Sequence, residues 1–326
     1  MDERILEYAV QCYGISRSDI TPMSGGHDNY IYEFHKDDRD YVLRINIGAD
    51  ANLKKGMIEW VNYLADRAVP VSKSLLSKNN NALEAVDIKN QSVTIAAFEK
   101  APGKLAETIP EKAWNAGLYQ SLGKAVGRMH VASKTYYPST RAITRPFWNQ
   151  ISTCFNQSKP LDEAHATVQE DLTRLITSIK KLPEDKDSFG LVHADLHLGN
   201  FFVEEKTGQV SLFDFDDCCY GWFAMDIVLP LFDILVVYNK IDNSGFAQDF
   251  FKNFIIGYRS EHHIDDIWFE HLPKFLKLLE ISIYTMLYKD NNTNDATTWP
   301  GKFMPGRKTR IEKKIPYIDI DFRQFT

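Results

Sequence analysis

HADLHLGN (193–200) runs directly into FFVEEKTGQVSLFDFDD (201–217), and the reading of this stretch decides the fold. Taken alone, the first eight residues allow a metal cage. His193, Asp195 and His197 alternate, so on a strand they share one face, and catalytic zinc favours such nitrogen and oxygen ligands. A cage needs a further ligand group, and His262 and His263 stand among ordinary polar neighbours. The residues that follow favour other chemistry. FFV and VSLF are short apolar runs joined by EEKTGQ, which is the pattern of a hairpin. Such a hairpin is expected to carry the chain back and bring Asp214 close to Asn200.

Asp195 precedes Asn200 by five positions, and the hairpin ends on Asp-Phe. An aspartate, an asparagine five residues later, a hairpin and a second aspartate form the arrangement of a kinase site. Phosphoryl transfer needs little covalent work from the protein, so positioning and charge neutralisation carry it. Asn200 and Asp214 offer hard oxygen ligands suited to magnesium bridging nucleotide phosphates. Asp195 is placed to orient a hydroxyl and accept its proton.

The rest of the chain bounds this reading. At 326 residues it accommodates roughly two domains. A net charge of −6 gives no reason to expect a nucleic-acid partner and leans toward a cationic small molecule. MDERILEYAVQCYG has no long apolar core, and the apolar stretch 227–238 is interrupted by Pro230 and Asp233, so no membrane span is expected. Cys12, Cys154, Cys218 and Cys219 follow no zinc or disulfide spacing, which suits the cytoplasm.

Periodicity divides the chain near residue 98. Residues 2–13 and 51–68 pattern as helices, while 30–34, 41–47, 83–88 and 92–98 pattern as strands. Beyond Ala101, long helices are expected over 110–134 and 161–181, with a mostly helical region from about 226 to 290. The segment after Asn291, rich in Asn, Thr, Pro and Gly, reads as extended or wrapping. The expectation is an α+β chain, with a nucleotide-binding lobe over 1–98 and a catalytic and substrate-binding lobe over 99–326.

The ordered elements from His193 to Asp226 resemble the aminoglycoside phosphotransferase and choline kinase family. That family's H-x-D-x-H-x-x-N signature is followed by a hairpin, a D-x-D element and an Asp-Ile/Leu pair, here LFDFDDCCYGWFAMDI. The resemblance covers roughly residues 20–290. It implies a bilobal protein-kinase-like fold, in which a small antiparallel β lobe with one helix precedes a larger, mostly helical lobe. It also implies transfer of the γ-phosphate of ATP or GTP, with Mg2+, to a hydroxyl of a small molecule such as an amino alcohol, an aminoglycoside-like sugar or homoserine.

The same resemblance distributes roles. Gly25, Gly26 and Asn29 lie in the nucleotide loop, and Arg44 stands where a protein kinase has its strand lysine, with Glu59 as its expected partner. Backbone groups of Glu99 to Ala101 meet adenine, and Asp226 braces the catalytic loop. His193 is expected to stabilise that loop; His197 either contacts substrate or phosphate or stabilises the loop too. Asp216 either reaches a second metal or caps a turn, and Glu280 is either paired in the core or open to a pocket. A Ser/Thr protein kinase of the same family, a nucleotide-binding module without turnover and a zinc hydrolase are the competing readings.

Overall fold

A computed structural model describes residues 2–23, 29–150, 161–290 and 295–326. The chain divides into two compact units, one of 1–103, 136–145 and 211–216, the other of 104–135, 146–210 and 217–326.

In the first unit, α1 (Glu3–Tyr13) is capped by the Asp2 carboxylate and stopped by Gly14 in the left-handed conformation. The strands are β1 (Ile20–Pro22), β2 (Asn29–Lys36) and β3 (Arg39–Ile47), then, after α2 (Ala51–Ala65), β4 (Ser74–Leu75), β5 (Glu84–Ile88) and β6 (Gln91–Glu99). They form one antiparallel sheet in the order β1-β2-β3-β6, with β4 and β5 both on β6. Ile5, Leu6, Ala9 and Val10 of α1 are buried in one core with Leu43, Ile45, Val93, Ile95 and Ala97 of the sheet. Side chains alternate along a strand. Because Leu43 and Ile45 serve this core, Arg44 between them is turned to the opposite face.

The second unit starts with β7 (Lys104–Leu105), α3 (Ala116–Ser133), α4 (Ala166–Ile179), β8 (Phe189–Val192) and β9 (Phe201–Val203). β10 (Val210–Leu212) leads out of this unit, and β11 (Cys219–Trp222) returns to pair with β8. The expected hairpin turn is present: the Glu204 N–H donates to Gln209 O at 2.9 Å and the Gly208 N–H to Glu204 O at 2.8 Å. Helices α5 (Ala224–Val237), α6 (Ser244–Arg259) and α7 (Leu272–Asp290) follow. Every residue of α5 from Ala224 to Val236 is buried, as expected of a central helix apolar all round. Pro230 and Asp233 therefore do not break it.

Glycines let α3 and α6 approach closely: a Cβ on Gly257 would lie 2.0 Å from Gln120 O, and one on Gly123 would lie 1.9 Å from Phe254 O. That proximity brings His130 of α3 to the Tyr258 hydroxyl of α6.

The segment expected to be extended or wrapping is not extended: it holds α8 (Trp299–Phe303) and α9 (Arg307–Glu312). Its turns have local causes, such as the Thr298 hydroxyl capping α8, and its buried apolar residues Phe303, Ile311, Tyr317 and Phe322 fix it in the core. The Tyr317 ring stacks on Phe232 of α5 at 4.2 Å, and its hydroxyl donates to Phe232 O at 2.8 Å. Glu280 is fully buried and paired, with Arg307 at 2.7 Å and with Lys277. Among the described residues no helix is long and apolar enough to cross a membrane.

Candidate active site

The catalytic loop leaves β8 after Val192 and enters β9 at Phe201. Two buried aspartates of α5 hold it. Asp226 accepts from the His193 N–H at 2.7 Å and the Ala194 N–H at 2.9 Å, and Asp233 accepts from the Leu198 N–H at 2.7 Å. Seven residues make about two turns, so both carboxylates lie on one face of α5. One takes the start of the loop and the other its end. Ala194 sits at φ +67°, a strained value that the hydrogen bond to Asp226 helps to hold.

Asp226 has a third partner. His130 of α3 is fully buried, and burial lowers its pKa, so the ring is neutral. Its Nε2 meets Asp226 at 3.2 Å and its Nδ1 meets the Tyr258 hydroxyl at 2.8 Å. Burial raises the Tyr258 pKa and keeps the phenol protonated. The hydroxyl therefore donates to Nδ1, and Nε2–H donates to Asp226.

Within the loop, Asn200 Nδ2 donates to Asp195 O at 2.7 Å and to Asp195 Oδ2 at 2.9 Å. Asp195 keeps 38% of its side chain exposed, as a group that must meet an incoming hydroxyl requires. His193 is fully buried, and its Nδ1 accepts from the Asp195 N–H at 3.4 Å. His197 Nε2 lies 3.5 Å from Asp195 Oδ2, and its Nδ1 accepts from the Gly199 N–H at 2.9 Å. Burial would lower the His197 pKa, but the hydrogen bond and charge of Asp195, with Asp233 and Glu107 behind it, lift it to about 9.

The first unit holds the other group of site residues. Arg44 Nη2 meets Asp216 Oδ2 at 2.6 Å and Asp214 Oδ1 at 3.2 Å, and Lys54 Nζ meets Asp216 Oδ2 at 2.8 Å. Arg145 donates to Asp216 O at 2.5 Å and to Leu53 O at 2.9 Å, tying this turn to α2. Burial opposes ionisation of Asp216, yet Arg44, Lys54 and Arg145 keep its pKa below the ordinary carboxylate range. Asp214 is at φ +62°, an unusual backbone state held at this turn.

The expected Arg44–Glu59 pair is replaced. Glu59 accepts instead from the Tyr136 hydroxyl at 2.9 Å, the Ser139 N–H at 2.8 Å and the Ser139 hydroxyl. Arg44 finds nearer carboxylates on the Asp214–Asp216 turn. Gly25 and Gly26 lie outside the described residues. Asn29 opens β2 opposite Asn46 of β3, Glu99 closes β6 with its N–H on Lys73 O, and Ala101 follows. Sequence reasoning missed His130, Asp233, Lys54 and Arg145. For Asp233 there was a signal, a carboxylate inside an otherwise apolar helix, which demands a donor.

Among the described residues no three His, Cys, Asp or Glu side chains are grouped to hold a metal, which removes the support for the zinc cage. A phosphate-bridging cation makes a smaller demand, one or two protein oxygens with phosphate and water supplying the rest. The donor chemistry fits that demand. In the second unit the Asn200 amide points its nitrogen at Asp195, which leaves its oxygen out of that contact, and in the first unit Asp214 carries a carboxylate that meets Arg44 at 3.2 Å. Among the described residues Asp216 Oδ1 is buried and has no hydrogen-bond partner, so among them this turn carries unused acceptor capacity.

Residues 19–261 match the phosphotransferase enzyme family. The chain belongs to that family. The chain is 33% identical over 328 residues to the amicoumacin kinase of Bacillus subtilis (strain 168), covering 98% of this chain and 95% of that one. It also matches the structure of amicoumacin kinase hAmiN in complex with AMP-PNP, Ca2+ and Ami. That match has a TM-score of 0.89 and 30% identity, and covers 100% of this chain and 98% of the other. A microcompartment-associated aminopropanol kinase shares the fold at a TM-score of 0.72 and 18% identity, covering 96% of this chain and 98% of that one. The chain is thus a protein-kinase-like, ATP-dependent small-molecule phosphotransferase.

Proposed function

We propose that the acceptor is a hydroxyl of amicoumacin or a similar small molecule, and that the physiological metal is Mg2+. The 33% identity to amicoumacin kinase over 98% of the chain supports this acceptor over the other small alcohols of the family. The net charge of −6 suits a cationic acceptor. ATP is the expected donor, GTP the one to compare with it, and the cytoplasm the expected setting.

The observation that carries the mechanism is the Asn200 amide on Asp195. It fixes the base and the metal ligand relative to each other through 2.7 and 2.9 Å bonds. Asp195 orients the acceptor hydroxyl and takes its proton as the new O–P bond forms and the bond between the γ-phosphorus and the bridging oxygen breaks, releasing ADP. Asn200 and Asp214 would hold the metal, which when bound would neutralise phosphate charge. Arg44, with Lys54 beside it, places the phosphates, and Glu99 to Ala101 contact adenine through their backbone. Gly25, Gly26 and Asn29 complete the nucleotide side, within a lobe of residues 1–98 that serves the catalytic lobe 99–326.

The test is coupled ADP release with ATP or GTP and Mg2+ against amicoumacin, aminopropanol, homoserine, aminoglycosides and a generic protein. Asp195→Asn runs in parallel. Release that depends on amicoumacin and collapses in the variant is the expected result. A protein acceptor outperforming every small molecule, or nucleotide binding with no acceptor-dependent release, overturns it.

A further inference from the structure

Asp226 secures the first half of the catalytic loop; the second half, which ends in Asn200, hangs from Asp233. That carboxylate is only 4% exposed, and its partners are specific: the Leu198 N–H on Oδ2 at 2.7 Å and the Trp299 indole N–H on Oδ1 at 2.6 Å. Trp299 begins α8, in a segment to which no function has been attached. The segment is well fastened at this place. Lys302 Nζ donates to Val237 O at 3.0 Å, and the Trp299 ring stacks on Phe303 at 5.2 Å.

A buried carboxylate oxygen left without a donor is costly, and a carboxylate with one donor lost is free to rotate toward another. Trp299 is the donor that fixes the rotation of Asp233. Fixing it aims Oδ2 at Leu198, two residues before Asn200, while the Asn200 N–H is bonded to His197 O at 2.9 Å. The line from indole to metal ligand is short and consists of directional contacts throughout.

We infer that Trp299 and Asp233 are positioning residues, through which the carboxyl-terminal segment sets the Leu198–Asn200 end of the catalytic loop. The two aspartates of α5 then divide the labour. Asp226 keeps the strained start of the loop, near the base, and the Asp233–Trp299 pair keeps the metal-ligand end. The tail belongs to the catalytic apparatus through the Trp299–Asp233 bond.

The first arm of the test needs no substrate, so it is independent of the acceptor proposed above. Amide exchange over residues 197–200 is compared in wild type, Trp299→Phe, Asp233→Asn and Phe303→Leu. Trp299→Phe keeps the ring and removes only the N–H; Phe303→Leu trims tail packing and leaves the indole–carboxylate bond. About tenfold faster exchange in Trp299→Phe and Asp233→Asn, but not in Phe303→Leu, is expected. In the second arm, which rests on the phosphotransfer reading, Trp299→Phe lowers kcat about tenfold and raises the Mg2+ concentration giving half-maximal rate, with acceptor KM unchanged. If Trp299→Phe fails to fold, Asp233→Asn reads the same contact from the other side. Unchanged exchange in a folded Trp299→Phe, or equal acceleration in Phe303→Leu, overturns the inference.

Discussion

Asp226 is surrounded by backbone N–H groups and a neutral histidine, whereas Asp216 is surrounded by the side-chain cations Arg44 and Lys54. Both carboxylates are mostly hidden from water, and both stand beside residues of the candidate site. The means of stabilisation differ in a way that matters for function. Backbone donors on a buried acceptor cannot leave without unfolding the loop. Long cationic side chains can exchange one anion for another, such as the phosphate of a nucleotide. A permanent brace is thus built from dipoles, and an exchangeable contact from charges.

The sharpest separation of the two regions comes from Asp195. Asp195→Asn should lower kcat by about 100- to 10,000-fold, the usual range for loss of a positioned base. Calorimetric titration with a non-hydrolysable nucleotide should find binding intact, because Arg44 and Lys54 are untouched. Weakened binding on the same scale would mean that the loop and the cation cluster do not divide the work.

Asp226→Ala breaks the permanent brace. It strands the His193 N–H, the Ala194 N–H and His130, at about 1–3 kcal/mol for each buried donor left unsatisfied. Urea unfolding should show a loss of several kcal/mol, with activity lost at temperatures where the chain is still folded. A loss below 1 kcal/mol would show that water replaces the carboxylate, and the contrast with Asp216 would fail.

Lys54→Ala tests the exchangeable side. Removing one charge-assisted contact, worth about 1.5–3 kcal/mol, should raise the nucleotide KM about tenfold or more while kcat falls little. Added salt should narrow the difference between variant and wild type. A fall in kcat with unchanged KM would place Lys54 among the permanent supports.

The same contrast explains what was legible in the sequence. Alternation along β3 isolates Arg44 from Leu43 and Ile45, and D-x-x-x-x-N with a hairpin is a local pattern, so both could be read from neighbouring residues. The partner of Arg44 could not. Asp216 is 172 residues away, and nothing in the period of α2 says whether Glu59 faces β3 or Tyr136. His130 was hidden for a related reason. It shares the Asp226 carboxylate from 96 residues away, and only the glycine-mediated approach of α3 and α6 gives it Tyr258. The tail was read as extended or wrapping from residues typical of turns, and its helices were missed although Trp299, Phe303 and Tyr317 among them had the aromatic surface to pack on α5.

His197 joins both kinds of support and gives the smallest effect. Its Nδ1 takes a backbone N–H, which favours the neutral ring, while Asp195, Asp233 and Glu107 favour the cation and raise its pKa from 6.5 to about 9. A histidine raised on folding contributes stability that is fully present below about 6.5 and lost as pH rises through about 9. With 39% of the side chain exposed, water screens the interaction, and the contribution should stay below about 1 kcal/mol. Urea unfolding of wild type and His197→Gln across this window should show the wild type losing its small advantage as pH rises. Parallel curves would mean that the Gly199 N–H keeps the ring neutral throughout, and that at this position the backbone dipole outweighs three carboxylates.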